Sequence, residues 1–128
     1  MSADLETMVV ITTGKQDRGT RATLGFSWAC SSLALGKRTS VYLTMDGTIW
    51  AMQRAAAGIQ VQGFEPLTEY MEQFVSLGGR LLACAPCTEY YCSFDREQIR
   101  GRLIDGVELV GLATVVSEAG PNCVVVTL

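Results

Sequence analysis

Gly79-Arg80-Leu81-Leu82-Ala83 runs directly into Cys84-Ala85-Pro86-Cys87. The first five residues read as a short buried strand, fed by Gly78-Gly79 at the close of an amphipathic stretch. In open α/β sheets, ligands and chemistry collect in the crevice beyond the carboxyl ends of the strands. Cys84 and Cys87, with Cys92 close behind, therefore fall where such a fold puts its reactive groups. Three of the five cysteines lie within nine residues, and the chain has no histidine. Chemistry near neutral pH then falls to sulfur, carboxylates or backbone dipoles.

Working outward, Thr7–Thr13 (TMVVITT) is a β-branched apolar run of the buried, parallel-sheet kind. A polar loop, Gly14–Thr20, leads to a helix expected over Arg21–Leu35, with Thr20 as N-cap and Gly36 as its stop. Leu24, Trp28, Leu33 and Leu35 are expected to supply most of its buried face. Thr39–Thr44 is the second strand and Met45-Asp46-Gly47 the turn beyond it. Thr48–Ala57 reads as a second helix ended by Gly58, followed by a looser connection over Ile59–Pro66. Leu67, Tyr70, Met71, Phe74 and Leu77 recur at helical spacing over Leu67–Leu77. After the cysteines come a polar bend over Ser93–Arg102 and a very short strand, or the approach to one, in Leu103–Val107. A helix over Glu108–Ala119 and a last strand over Asn122–Leu128 close the chain. This alternation with short glycine-marked connections predicts an α/β fold with a mainly parallel sheet of four or five strands, as a single domain over residues 1–128.

The 128 residues are 48% hydrophobic and 18% charged, with a net charge of −3. An acidic balance argues against nucleic acid, which calls for a clustered basic face. No stretch approaches the ~20 apolar residues of a membrane span. The polar, acidic start Met1–Glu6 does not read as a secretory signal. An odd cysteine count then reads as free thiols and a cytoplasmic home. So apolar a chain with so few charges also suggests a surface covered by a second subunit.

Read from the residues alone, Cys84-x-x-Cys87 leaves three readings open: a dithiol–disulfide couple, half of a zinc site, or a nucleophilic sulfur carrier with a neighbour. Zinc takes four ligands, usually two pairs at this spacing. Cys30 or Cys123 would have to come into range, so no metal is expected. A thioredoxin-like couple sits after the first strand of its motif, not after the third. Pro86 fits the turn that follows the strand, since proline needs no N–H there. Cys30 and Cys123, inside a helix and a strand, read as small buried hydrophobes. Asp46-Gly47 lies on the same sheet edge as Cys84 and either contributes to the site or is an ordinary turn. Tyr90 and Tyr91 either wall the pocket or pack. The Gly14–Thr20 loop lacks the lysine that follows the second glycine of a phosphate-binding loop, so no nucleotide cofactor is expected.

The order of VVITT, VYLTMDG, Gly-Gly before a strand ending in cysteine, Leu103-Ile104-Asp105-Gly106-Val107-Glu108 and a terminal VVVTL resembles the DsrE/DsrF-like family of sulfur-relay proteins, across essentially the whole chain. The resemblance implies a three-layer α/β/α fold with a mainly parallel five-stranded sheet, and assembly into trimers or hexamers. It implies a sulfur carrier or sulfurtransferase that binds sulfane sulfur as a persulfide on Cys84, takes it from a donor protein and passes it to an acceptor protein. Cys84, Cys87 and Cys92 are the candidate catalytic residues, and Asp46, Gly47, Pro86 and Tyr90 the candidate substrate contacts. No cofactor is implied. A dithiol–disulfide redox role for Cys84 and Cys87, or a non-catalytic subunit of a relay assembly, are the alternatives. The carrier reading asks that the Cys84 sulfur be ionised and reachable at the mouth of a cleft.

Overall fold

The structure, a computed structural model, describes residues 5–91 and 101–128. Five strands form one sheet: β1 (Glu6–Ile11), β2 (Arg38–Leu43), β3 (Arg80–Cys84), β4 (Glu108–Val110) and β5 (Cys123–Thr127). Their order is β4-β3-β2-β1-β5, and every pairing is parallel. The chain moves outward from β1 to β4, then returns to place β5 on the free side of β1. Right-handed crossovers require the outward helices on one face and the return helix on the other. That is what forms. The helices α1 (Thr20–Ala34) and α2 (Leu67–Ser76) cover one face, and α4 (Leu112–Glu118) lies on the other. A fourth helix, α3 (Ala85–Tyr91), follows β3 without a linker.

Alternation along the strands divides the side chains between two cores. Val9, Ile11, Val41, Leu43, Leu81 and Ala83 point to α1 and α2, where Phe26 and Phe74 meet edge to face at 5.9 Å. Met8, Tyr42, Leu82 and Cys84 point the other way, under Val115 of α4.

Several sequence expectations are corrected here. Helix α1 does not bury Leu24, Trp28 and Leu35, which are exposed. It buries Ala22, Gly25, Phe26, Ala29 and Cys30, with Leu33 half-buried. The helix lies too close to β1 for large residues: a Cβ on Gly25 would come within 2.8 Å of Ile11 Cδ1. Its cap is not Thr20, which is the first helical residue. The Asp17 carboxylate accepts the backbone N–H groups of Gly19 and Arg21 instead, at 3.1 and 2.9 Å. Gly36, with φ of 83°, does close the helix, donating to Leu33 O.

The stretch Thr48–Ala57 is not an α-helix. Met45–Ala51 winds as a 3-10 helix, Met52 then extends to bridge Leu103, and Arg54 adopts φ of 68°. The segment Glu108–Ala119 is not one helix either. Its first three residues pair with β3 as the edge strand β4, and the helix begins only at Leu112. The polar bend falls largely on residues 92–100, outside the described residues, as does Cys92.

Candidate functional site

Tyr42 lies opposite Leu82 in the β2–β3 register, so alternation brings Tyr42, Leu82 and Cys84 to one face of the sheet. Cys84 is the last residue of β3, and α3 starts at Ala85 with Pro86 in its first turn, where no N–H is needed. One turn of α3 carries Cys87 back over the strand end. The two sulfurs stand 2.8 Å apart, with Cys84 Sγ–H donating to Cys87 Sγ. The Cys87 backbone N–H donates in return to Cys84 Sγ at 3.4 Å. Thr88, also buried, fixes the junction by donating its hydroxyl to Cys84 O at 2.7 Å.

The end of β2 supplies the rest of the surroundings. The Thr44 hydroxyl lies 3.5 Å from Cys87 Sγ, and the Met45 backbone N–H donates to the same sulfur. Met45 holds φ of 53°, an uncommon conformation for a side chain of its size. Burial works to raise the Cys87 thiol, but the hydrogen bonds from Cys84, Thr44 and Met45 outweigh it, and its pKa ends below the usual thiol range. The thiolate form of Cys87 is thereby favoured relative to an ordinary thiol, whereas burial disfavours it at Cys30 and Cys123. It is also the more open one, half-buried where Cys84 is 7% exposed. Cys84 thus sits deeper than the mouth of a cleft.

Tyr42 completes the group. Its side chain is 2% exposed, and its hydroxyl has no formed hydrogen bond among the described residues. It nonetheless lies close enough to Cys84 Sγ and the Thr44 hydroxyl for both to bias its proton. Burial, first, and the adjacent Cys84 sulfur push its pKa up to about 12. At neutral pH it keeps its proton and can donate it in a hydrogen bond.

The remaining sequence candidates lie around this pair. Asp46 and Gly47 follow Thr44 in the 3-10 segment. The Asp46 carboxylate accepts a hydrogen bond from Gln16 Nε2, tying the 14–20 loop to the end of β2, and its charge helps to raise the Tyr91 hydroxyl behind that group's burial. Gly47 packs against β1, where a Cβ would stand 2.1 Å from Ile11 O. Pro86 is exposed. Tyr90 is 78% exposed and meets Tyr91 edge to face at 5.0 Å. Cys30 lies in the other core and donates to Tyr70 O, while Cys123 is half-buried at the start of β5. Burial raises both thiols. Among the described residues no three side chains of the metal-ligating kind gather. Tyr42 and Thr44 are the site residues that the sequence did not single out. The signal for them was strand alternation: a tyrosine two residues before the end of a buried strand needs somewhere to put its hydroxyl.

A cleft of about 400 Å³ lies across the sheet from the cysteines, lined by Met71, Val75 and Leu81 among others. Its lining is largely apolar and includes no cysteine, with Thr68, Glu72, Ser76 and Asp105 as its oxygen-bearing side chains. The cysteine pair lies where β2 and β3 end, two strands away from the β1/β5 reversal of the sheet order.

The sequence profile of the DsrE/DsrF-like family matches residues 6–120. Two solved structures share the fold. The crystal structure of the ychN protein from E. coli has a TM-score of 0.68 at 14% identity, covering 98% of this chain and 99% of that one. A conserved protein of unknown function, BT1422 from Bacteroides thetaiotaomicron, has a TM-score of 0.64 at 17% identity, covering 100% and 98%. No curated protein matches by sequence. No helix among the described residues is long and apolar enough to cross a membrane.

Proposed function

Starting from a chain that belongs to the DsrE/DsrF-like family, we propose that it carries sulfane sulfur as a persulfide on Cys84 and hands it from a donor protein to an acceptor protein. Membership of the family supports a role in sulfur relay in general. The observation that carries the finer reading is the thiol pair at the end of β3: two sulfurs 2.8 Å apart, one of them made more acidic by three hydrogen bonds.

The pair shares one proton. As Cys84 Sγ attacks the outer sulfur of a donor persulfide, its proton passes to the Cys87 thiolate. A new S–S bond forms on Cys84 and the bond between the donor's two sulfurs breaks. The electron pair leaves with the donor's thiolate, which then takes a proton from solvent. Nothing is oxidised or reduced. Release runs the same exchange with an acceptor thiolate attacking the terminal sulfur. The same separation of the sulfurs favours one second reading. Disulfide geometry needs the sulfurs at about 2.05 Å; in this second reading the Cys87 thiolate attacks the inner sulfur of a Cys84 persulfide, the Cys84–Cys87 bond forms, and the outer sulfur leaves with the electron pair as hydrosulfide.

Self-association belongs to this reading. Leu24, Trp28 and Leu35 on the outer side of α1, with Val124 of β5, line one apolar cleft, and β5 leaves its outer edge unpaired. Native and intact mass spectrometry on one polysulfide-treated sample tests all of this. The carrier gains multiples of about 32 Da, one sulfur each, and Cys84→Ser loses that gain. A Cys84→Ser protein that loads like the wild type overturns the carrier reading. A loss of about 2 Da, with no gain, establishes the redox couple in its place. The native mass reads the number of chains directly.

A further inference from the structure

Only two described side chains bury a polar atom without a partner: Thr23, in the α1 core, and Tyr42. Leaving a hydroxyl buried and unpaired is unfavourable, and native structures rarely do so without a cause. Thr23 sits on α1, which packs on the opposite face of the sheet from the cysteine pair. Tyr42 shares a sheet face and a buried cluster with Cys84, and its hydroxyl neighbours the Cys84 sulfur assigned above to hold the cargo. Two donors then bear on that one atom from different elements, the phenol from β2 and the Cys87 backbone N–H from α3.

Both donors are matched to a sulfur that gains and loses charge. The Cys84 sulfur is negative when it attacks, and negative again when it leaves as the acceptor takes the terminal sulfur. Between those moments it is the neutral inner atom of a persulfide and a poor acceptor. Resting on the carrier reading, we propose that Tyr42 is a catalytic residue, its hydroxyl donating a hydrogen bond to Cys84 Sγ whenever that atom carries negative charge and relaxing to an unpaired state when it does not. Its proton never transfers. The hydroxyl stabilises the attacking thiolate during loading and the departing thiolate during release, in the way that fixed donors stabilise a developing oxyanion. The unpaired hydroxyl of the resting state fits this role, because there Cys84 Sγ–H is engaged as a donor to Cys87 Sγ.

Tyr42→Phe tests this with little risk to the fold, since it keeps the ring and deletes only an unpaired group. Loading is followed with inorganic polysulfide, release with glutathione, and the free sulfur by site-resolved alkylation of Cys84. Hydrogen bonds to charged groups are among the stronger ones, so the variant is expected to load and release sulfur about ten- to a hundredfold more slowly. Alkylation of Cys84 slows with them, while the melting temperature and the alkylation of Cys87 hold. Loading and release within about twofold of wild type, beside a Cys84→Ser control that has lost its adduct, overturn the role of Tyr42 and leave the carrier reading standing. A Cys84→Ser protein that keeps its adduct removes the carrier reading itself.

Discussion

The two faces of the sheet are built to different standards. On one, α1 and α2 lay Phe26, Leu67, Met71 and Phe74 over Val9, Ile11, Val41 and Leu43, and the largest side chains there are fully buried. On the other, the buried set is four sheet residues under Val115 of a seven-residue helix, and Leu112, Val116 and Val125 are left exposed. Both described cysteines of the candidate site are on the second face or at its rim. The heavier packing lies away from the candidate site, and the cysteine pair lies where cover is thin. Regions with few buried apolar contacts open more readily than densely packed ones.

The difference can be broken from the heavy side first. Phe74 is fully buried, and its ring is so closely packed that a Cβ on Gly79 would fall 2.3 Å from it. Phe74→Ala is expected to cost about 3–5 kcal/mol, measured by denaturant unfolding. A cost under about 1 kcal/mol would mean that the two faces share the load more evenly than described.

The next test compares sulfurs across the sheet. The Cys87 pKa is lowered, so its thiolate is present at a lower pH. Cys30 and Cys123 are raised by burial, with the Glu6 charge adding to the effect at Cys123, so theirs appear only at higher pH. At pH 7, iodoacetamide should label Cys87 at least about tenfold faster than either, with the gap closing as the pH rises. Cys123 is the informative comparator, since it is half-buried like Cys87. Equal rates for the two would erase the electrostatic distinction.

The smallest effect is expected at the clamp on the thin side. Arg80 pairs with Glu108 of β4 at 2.8 Å and with Glu118 of α4 at 2.6 Å. The first of these holds the Glu108 carboxyl below its usual range. A depressed carboxyl stabilises the fold above its unfolded pKa, near 4.3, and loses that contribution as the pH falls through the folded value. All three side chains are 38–45% exposed, so screening keeps the effect small. Arg80→Met should cost about 0–1 kcal/mol at pH 7, and nothing below the acid transition.

Much of this division was legible in the residues. The strand before Cys84, the parallel alternation and the amphipathic α2 all follow from short apolar runs punctuated by glycine. The inner face of α1 was not, because that helix has two apolar stripes. Size decided between them, since only the small residues Ala22, Gly25 and Ala29 fit against β1, and the large ones were left outside. The strand β4 was hidden because three residues are too few to show a period, and Glu108-Leu109-Val110 continues smoothly into helical sequence. In the site, the cysteines announced themselves by spacing. Tyr42 and Thr44 did not, because their part depends on which neighbour the sheet register puts beside them.

Met45 carries a last consequence. Its unusual backbone turn aims a main-chain N–H at the Cys87 sulfur, while its own side chain is 47% exposed. The thiol is tuned by an atom that every residue but proline possesses. What protrudes beside it can therefore change identity, among residues that tolerate the same left-handed turn, without retuning the sulfur beneath.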